Sequence, residues 1–175
     1  MFLNNFYRTL AVSKIVGRTG STDATYFSTT GGEYTMYGHS DTNSISEAMH
    51  NMLKTGSPGS AGVVFGNGTT AVKANDYWLS GSVITTYTAT YSSSYIYDKD
   101  GVTYTTLYTL TNTSTTDSIT IGEVGLVWNY RYAGNNTYYT NTALVERTLL
   151  DTPIAIAPNG VGQVTYTIRI NYPVL

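Results

Sequence analysis

Over residues 164–172 apolar and polar positions alternate without a break. Val164, Tyr166, Ile168, Ile170 and Tyr172 share one side, and Thr165, Thr167, Arg169 and Asn171 the other. Successive side chains of a strand point to opposite faces, so the pattern predicts a ribbon with one buried and one wet face. Similar β-rich segments precede it at 83–91, 102–112, 119–128, 143–150 and 153–157. Turn residues separate them at intervals of roughly eight to twelve residues, the spacing of an antiparallel sandwich or barrel. Within 119–128 the phase changes. Ile119 and Ile121 fall on one face, whereas Val124, Leu126 and Trp128 fall on the other. One extra residue at Gly122–Glu123 would flip the register, which predicts a β-bulge there.

The pattern is different before residue 63. Phe2, Phe6 and Leu10 recur at four-residue spacing beside Leu3 and Tyr7, predicting a short helix over 1–16 with a strongly apolar face. That face either docks on the chain's own sandwich or inserts into a neighbouring subunit, with Phe2, Phe6 and Leu10 as interface candidates. Residues 17–43, rich in Gly, Ser and Thr but carrying Tyr26, Phe27, Tyr34 and Tyr37, read as an irregular loop or a short hairpin. Ser44 and Glu47 form a capping box ahead of Ile45, Met49, Met52 and Leu53, predicting a second helix that ends at Gly56 and Pro58. The expected fold is therefore all-β: an antiparallel β-sandwich over 63–175, preceded by a helical and loop region over 1–62 with one or two short helices.

Composition narrows the function. Charged residues make up 11% of the chain against the usual quarter or so, while 17 tyrosines supply core and contact material. Such a surface suits packing against other protein, because interfaces are poor in Lys and rich in Tyr. The net charge of −2 and nine scattered Lys and Arg form no basic stripe, so nucleic acid is not an expected main partner. No apolar run approaches the roughly 20 residues that span a bilayer, and a membrane partner is not expected either. Residues 1–10 lack the pattern of a signal peptide, so synthesis in the cytoplasm is expected. With no cysteine there is neither a disulfide nor a thiolate site.

Candidate chemistry is sparse. The turn Gly66-Asn67-Gly68 lacks the Lys-Ser/Thr of a phosphate loop and the third glycine of a dinucleotide fingerprint, and reads as a turn needing positive φ. His39, Ser40 and Asp41 are adjacent in sequence and so cannot converge as a relay. Asp98-x-Asp100-Gly101 looks like the front of a calcium loop without its closing Glu, and a hairpin turn explains it better. Glu123 and Arg147 each interrupt an apolar strand; each must face solvent or find a partner, and on neighbouring strands they would form a structural, bidentate ion pair. Glu123 with Glu146 is the one formal pair for glycoside chemistry. The tyrosines at 87, 91, 95, 97, 104 and 108, and at 130, 132, 138 and 139, divide among core, protein interface and sugar stacking. Three Asn-x-Ser/Thr matches, at Asn67, Asn112 and Asn135, are expected by chance. No catalytic, cofactor-binding or metal-binding residue is assigned, and the chain is not expected to be an enzyme.

Three pieces together resemble structural proteins of tailed-bacteriophage virions. They are Phe65-Gly-Asn-Gly-Thr-Thr with Asn75-Asp-Tyr-Trp-Leu; Leu110-Thr-Asn-Thr-Ser with Ile119-Thr-Ile-Gly-Glu-Val-Gly-Leu; and Leu144-Val-Glu-Arg-Thr-Leu-Leu-Asp-Thr-Pro-Ile-Ala-Ile-Ala-Pro-Asn-Gly running into Val164-Thr-Tyr-Thr-Ile. They span about residues 63–172. The resemblance implies a multicopy β-sandwich component of the head, collar, neck or tail, partnered by itself and other virion proteins and located in the virion after synthesis in the bacterial cytoplasm. The alternative is a glycan-binding module at a fibre or tail tip, with Tyr138 and Tyr139 as contacts to a host polysaccharide. A hydrolase using Glu123 or Asp76 ranks third.

Overall fold

The computed structural model describes residues 24–36, 62–134 and 137–171, with side chains given for most of them. The expected helices over 1–16 and 44–54, the histidines His39 and His50, and Phe2, Phe6 and Leu10 lie outside the described residues. What is described is all-β, with no helix among the described residues. The strands are β1 (Ala24–Phe27), β2 (Glu33–Met36), β3 (Gly62–Gly66), β4 (Tyr87–Asp98), β5 (Gly101–Asn112), β6 (Ile119–Gly134), β7 (Thr137–Ile156) and β8 (Val161–Asn171). They form a two-stranded β1–β2 ladder and two three-stranded antiparallel sheets ordered β3-β6-β7 and β4-β5-β8. The chain divides into two compact units, one of residues 1–84 and 121–153, the other of 85–120 and 154–175.

In the first unit β6 is the central strand, and from Ile121 to Val127 every residue is buried. That explains the change of apolar face in its sequence. Between Gly66↔Glu123 and Gly62↔Val127 the pairing with β3 runs one for one, so this span holds no extra residue. Both faces of the strand are covered over this stretch, alternation gives way to a continuous apolar run, and the change of face does not itself require an extra residue. Val64, Leu79, Val127 and Leu144 form a tight cluster, flanked by Val72, Trp78 and Val83. Gly125 lets it close: a Cβ there would stand 2.8 Å from both Leu79 and Leu144. The expected loop or hairpin before residue 43 contains the β1–β2 ladder. Its tip at Gly31 has φ 83°, and it is tied to β7 by the Thr29 N–H donating to the Thr142 carbonyl at 3.0 Å.

In the second unit the alternation at the chain's end becomes strand β8. Val164, Tyr166 and Ile168 are buried while Thr165, Thr167 and Arg169 are exposed. It pairs with β5, from Val102↔Ile170 to Thr111↔Val161. β5 in turn pairs with β4 over twelve residues, from Tyr87↔Asn112 to Asp98↔Gly101. Asn112 locks the far end. Its buried amide donates to the carbonyls of Asp117 (2.8 Å), Ile156 (3.1 Å) and Ala157 (3.0 Å), while its oxygen accepts from the Ser114 N–H (3.0 Å). The Asn112-Thr-Ser match is thus a structural anchor, 1% exposed, and not an accessible acceptor for a sugar.

Candidate functional site

The concentration of charge lies in the first unit, around the segment between β3 and β4. Residues on either side of this loop run antiparallel at its neck. Gly66 bridges Val83, the Ile84 N–H donates to the Phe65 carbonyl at 2.9 Å, and the Ser82 N–H donates to Asn67 Oδ1 at 2.8 Å. Three neck N–H groups then converge on one carboxylate from β6. Gly68 N–H (3.1 Å) and Gly81 N–H (2.8 Å) donate to Glu123 Oε1, and Ser80 N–H (3.1 Å) donates to Oε2. The Ser80 hydroxyl adds a fourth bond to Oε2 at 3.2 Å. The glycines are there for room and not for rotation. Neither Gly66 nor Gly68 has positive φ, contrary to the turn read from the sequence. A Cβ at Gly68 would instead collide with Ser80 Oγ, Glu123 Oε1 and the Gly81 nitrogen.

Arg147 on β7 supplies the counter-charge. Its Nε donates to Glu123 Oε2 at 2.6 Å, one Nη to Asp76 Oδ2 at 2.6 Å, and the other to the Thr70 carbonyl at 2.7 Å. Glu123 and Arg147 therefore meet, but through one contact and not the bidentate fork expected, because the guanidinium is shared among three acceptors. Asp76 is further fixed by the Lys73 N–H, 2.9 Å from Oδ2. Asp76 belongs to this structure as a third ion, which sequence reasoning had considered only as a remote hydrolase candidate.

Glu123 is 0% and Arg147 1% exposed. Burial alone pushes a carboxyl upward, but the Gly81 N–H, the Arg147 guanidinium and the Ser80 N–H outweigh it and hold Glu123 below its ordinary value. For Arg147, burial acts downward and is outweighed by Glu123 and Asp76, so the guanidinium is held more firmly protonated than usual. A carboxylate that accepts five hydrogen bonds and touches no solvent has nothing left with which to take a substrate's proton. This geometry ties a loop to a sheet. Glu146, one residue before, is 5% exposed and accepts from the Thr148 hydroxyl, so the pair Glu123–Glu146 offers no open cleft between two carboxylates.

Beside the cluster is a groove of about 580 Å³ whose lining includes Lys73, Asn75, Asp76, Tyr77 and Trp78. Gly31, at the β1–β2 tip, backs the Tyr77 ring, and a Cβ there would sit 3.3 Å from it. Tyr77 itself is 47% exposed.

The remaining candidates separate. Asp98 and Asp100 form a hairpin turn, with the Asp100 N–H donating to Asp98 Oδ1 at 2.9 Å. Both Asp98 oxygens also accept from Arg169, at 2.8 and 2.9 Å. The Arg169 hydrogen bonds, then the Asp100 N–H, hold the Asp98 carboxyl down to about 2. Tyr108 and Tyr166 are core, whereas Tyr91, Tyr95 and Tyr97 are exposed. Tyr138 and Tyr139 lie on β7, but their side chains are outside the described set, as are those of Tyr130 and Tyr132.

Fold and site together define, over the described residues, an all-β architecture whose internal ion cluster fastens a long loop to a central strand. Compared with protein-family models, curated proteins and solved structures, the chain matches none of them.

Proposed function

We propose that this chain is a multicopy structural component of a tailed-bacteriophage virion, non-enzymatic, working through contacts with itself and with other virion proteins. The observation that carries the reading is the contrast between its charges and its aromatics. The buried ions Glu123 and Arg147 are bonded inward together with Asp76, while Tyr91, Tyr95, Ile96 and Tyr97 stand exposed along one strand. A catalytic protein places reactive groups where a substrate reaches them; an assembly protein places large neutral side chains there. The sequence resemblance supports the same reading, and the antiparallel sandwich expected from the sequence belongs to it.

Mass spectrometry of purified particles from a phage encoding this chain should detect it in many copies, and its absence from intact particles refutes the proposal. Because such contacts rest on apolar area and few ion pairs, assemblies should survive moderate salt. Dissociation by added NaCl argues against it.

A glycan-binding module is the second reading, favoured by the groove at Asp76, Tyr77 and Trp78. An exposed ring beside a carboxylate and an amide suits a sugar's apolar face and its hydroxyls. Saturable binding to a host polysaccharide that is lost in Tyr77→Ala supports this reading, and no binding on a glycan array removes it.

A further inference from the structure

Edge strands of natural sheets are ordinarily protected by shortness, a proline, a bulge or a charge, since a bare edge pairs with whatever strand it meets. β4 has none of these. It is twelve residues long, pairs with β5 in an unbroken register, and carries no charge or proline from Tyr87 to Tyr97. Among the described residues it ends the sheet order, and every residue from Thr90 to Asp98 is exposed. Tyr95, Ile96 and Tyr97 are 62%, 68% and 64% exposed. The charges nearby are confined to the hairpin tip and satisfied within the chain, as Asp98–Arg169 and Lys99–Asp100.

The exposed segment also reads the same in both directions: Tyr91-Ser92-Ser93-Ser94-Tyr95. The geometry points to a second copy of this chain as the occupant of the edge, paired antiparallel with β4 about a twofold axis through Ser93. In that register Tyr91 of each copy faces Tyr95 of the other on one side of the sheet, and Ala89 faces Tyr97, small against large. On the other side Ser92 faces Ser94 and Thr90 faces Ile96. Moving the axis to Ser92 or Ser94 sets a tyrosine against Ser93 and exchanges the Tyr91–Tyr95 pair for one made with Tyr97 nearer the strand's end, so only the Ser93 axis keeps facing tyrosines on both sides of the palindrome's centre. An isologous contact needs this self-complementarity, whereas a foreign strand does not. The rings are already arranged for it. Tyr91 lies 6.3 Å from Tyr108, and Tyr95 lies 6.2 Å from Tyr104 and 5.3 Å from Tyr97, which limits the side-chain entropy lost on pairing. The result is a continuous six-stranded sheet, β8-β5-β4 joined to its symmetry mate.

This inference names a surface for the self-association proposed above, but it stands on β4 and not on the virion reading. The chain has no cysteine, so single cysteines report the register directly. Ser93→Cys, on the axis, should form a disulfide-linked dimer under mild oxidation. Ser94→Cys alone should not, whereas mixed Ser92→Cys and Ser94→Cys chains should. Sedimentation should give wild-type protein a mass of twice 19.0 kDa, and Ser93→Lys, with its circular dichroism unchanged, a mass of 19.0 kDa. A wild-type monomer at every concentration overturns the inference, as does cross-linking of Ser94→Cys equal to that of Ser93→Cys. An oligomer that persists in Ser93→Lys also overturns it, while leaving the assembly reading in place through another surface.

Discussion

Replacing Arg147 by Met keeps much of the side chain's volume and removes its charge. The guanidinium makes three short contacts, to Glu123, Asp76 and the Thr70 carbonyl, at 2.6, 2.6 and 2.7 Å. Its loss strands the Glu123 carboxylate, 0% exposed, with neutral donors alone. Removing one partner of a buried pair costs about 3–5 kcal/mol, because the other charge stays buried without compensation. That is a large share of the ~5–15 kcal/mol by which domains are stable. Urea unfolding followed by fluorescence of Trp78, which packs against the core beside the cluster, reads the cost directly. The double variant with Glu123→Gln should lose less than the two single changes added together, since the stranded charge is gone.

The pH dependence supplies a sign. In the wild type Glu123 is held below its ordinary 4.5, so its contribution is present above that value and is lost as pH falls through the lower folded value. Without Arg147 the burial that opposes ionisation acts with less to offset it, so the carboxyl moves upward and the variant's deficit shrinks on acidification. A deficit under about 1 kcal/mol, the size of an exposed pair, would refute the reasoning. So would strict additivity in the double variant, or a deficit that grows as pH falls.

Gly68→Ala should cost about 1–3 kcal/mol by forcing backbone and carboxylate apart, whereas Gly125→Ala meets side-chain atoms alone, the ends of Leu79 and Leu144 and a methyl of Val64, and should cost less; thermal melts of the two rank them. Asn112→Ala deprives three carbonyls of their donor and should lower stability by at least about 1–3 kcal/mol, and an unchanged urea midpoint would contradict the anchoring role. Arg169→Ala should leave the midpoint near wild type, since its pair with Asp98 is exposed, but should return the Asp98 titration, followed by NMR, from about 2 towards 3.8.

Much of this architecture was written locally and could be read. The 164–172 alternation gives β8 because one face of that strand is wet, and Glu123 and Arg147 stood out because each breaks an apolar strand. What escaped was long-range. The Asp76 contact to Arg147 spans 71 residues and the Thr70 contact 77, and both come from a stretch without periodicity. The phase change in β6 was visible, but sequence could not separate an extra residue from a strand covered on both faces. The tyrosines were equally ambiguous. Tyr95 and Tyr104 are paired neighbours on one sheet face, yet the first is 62% exposed because its strand is the edge.

The caged carboxylate has a consequence for the order of events in a new chain. Glu123 gathers donors from residues 68–81 but is neutralised only by residue 147, and the other sheet waits for β8 at the chain's end. On a growing polypeptide the first unit cannot close before Arg147 has been made, nor the second before β8. Contacts this distant form slowly, because loop-closure entropy is lost before they are gained. The β-rich segments β3 to β6 must therefore wait uncovered for β7 and β8 to follow.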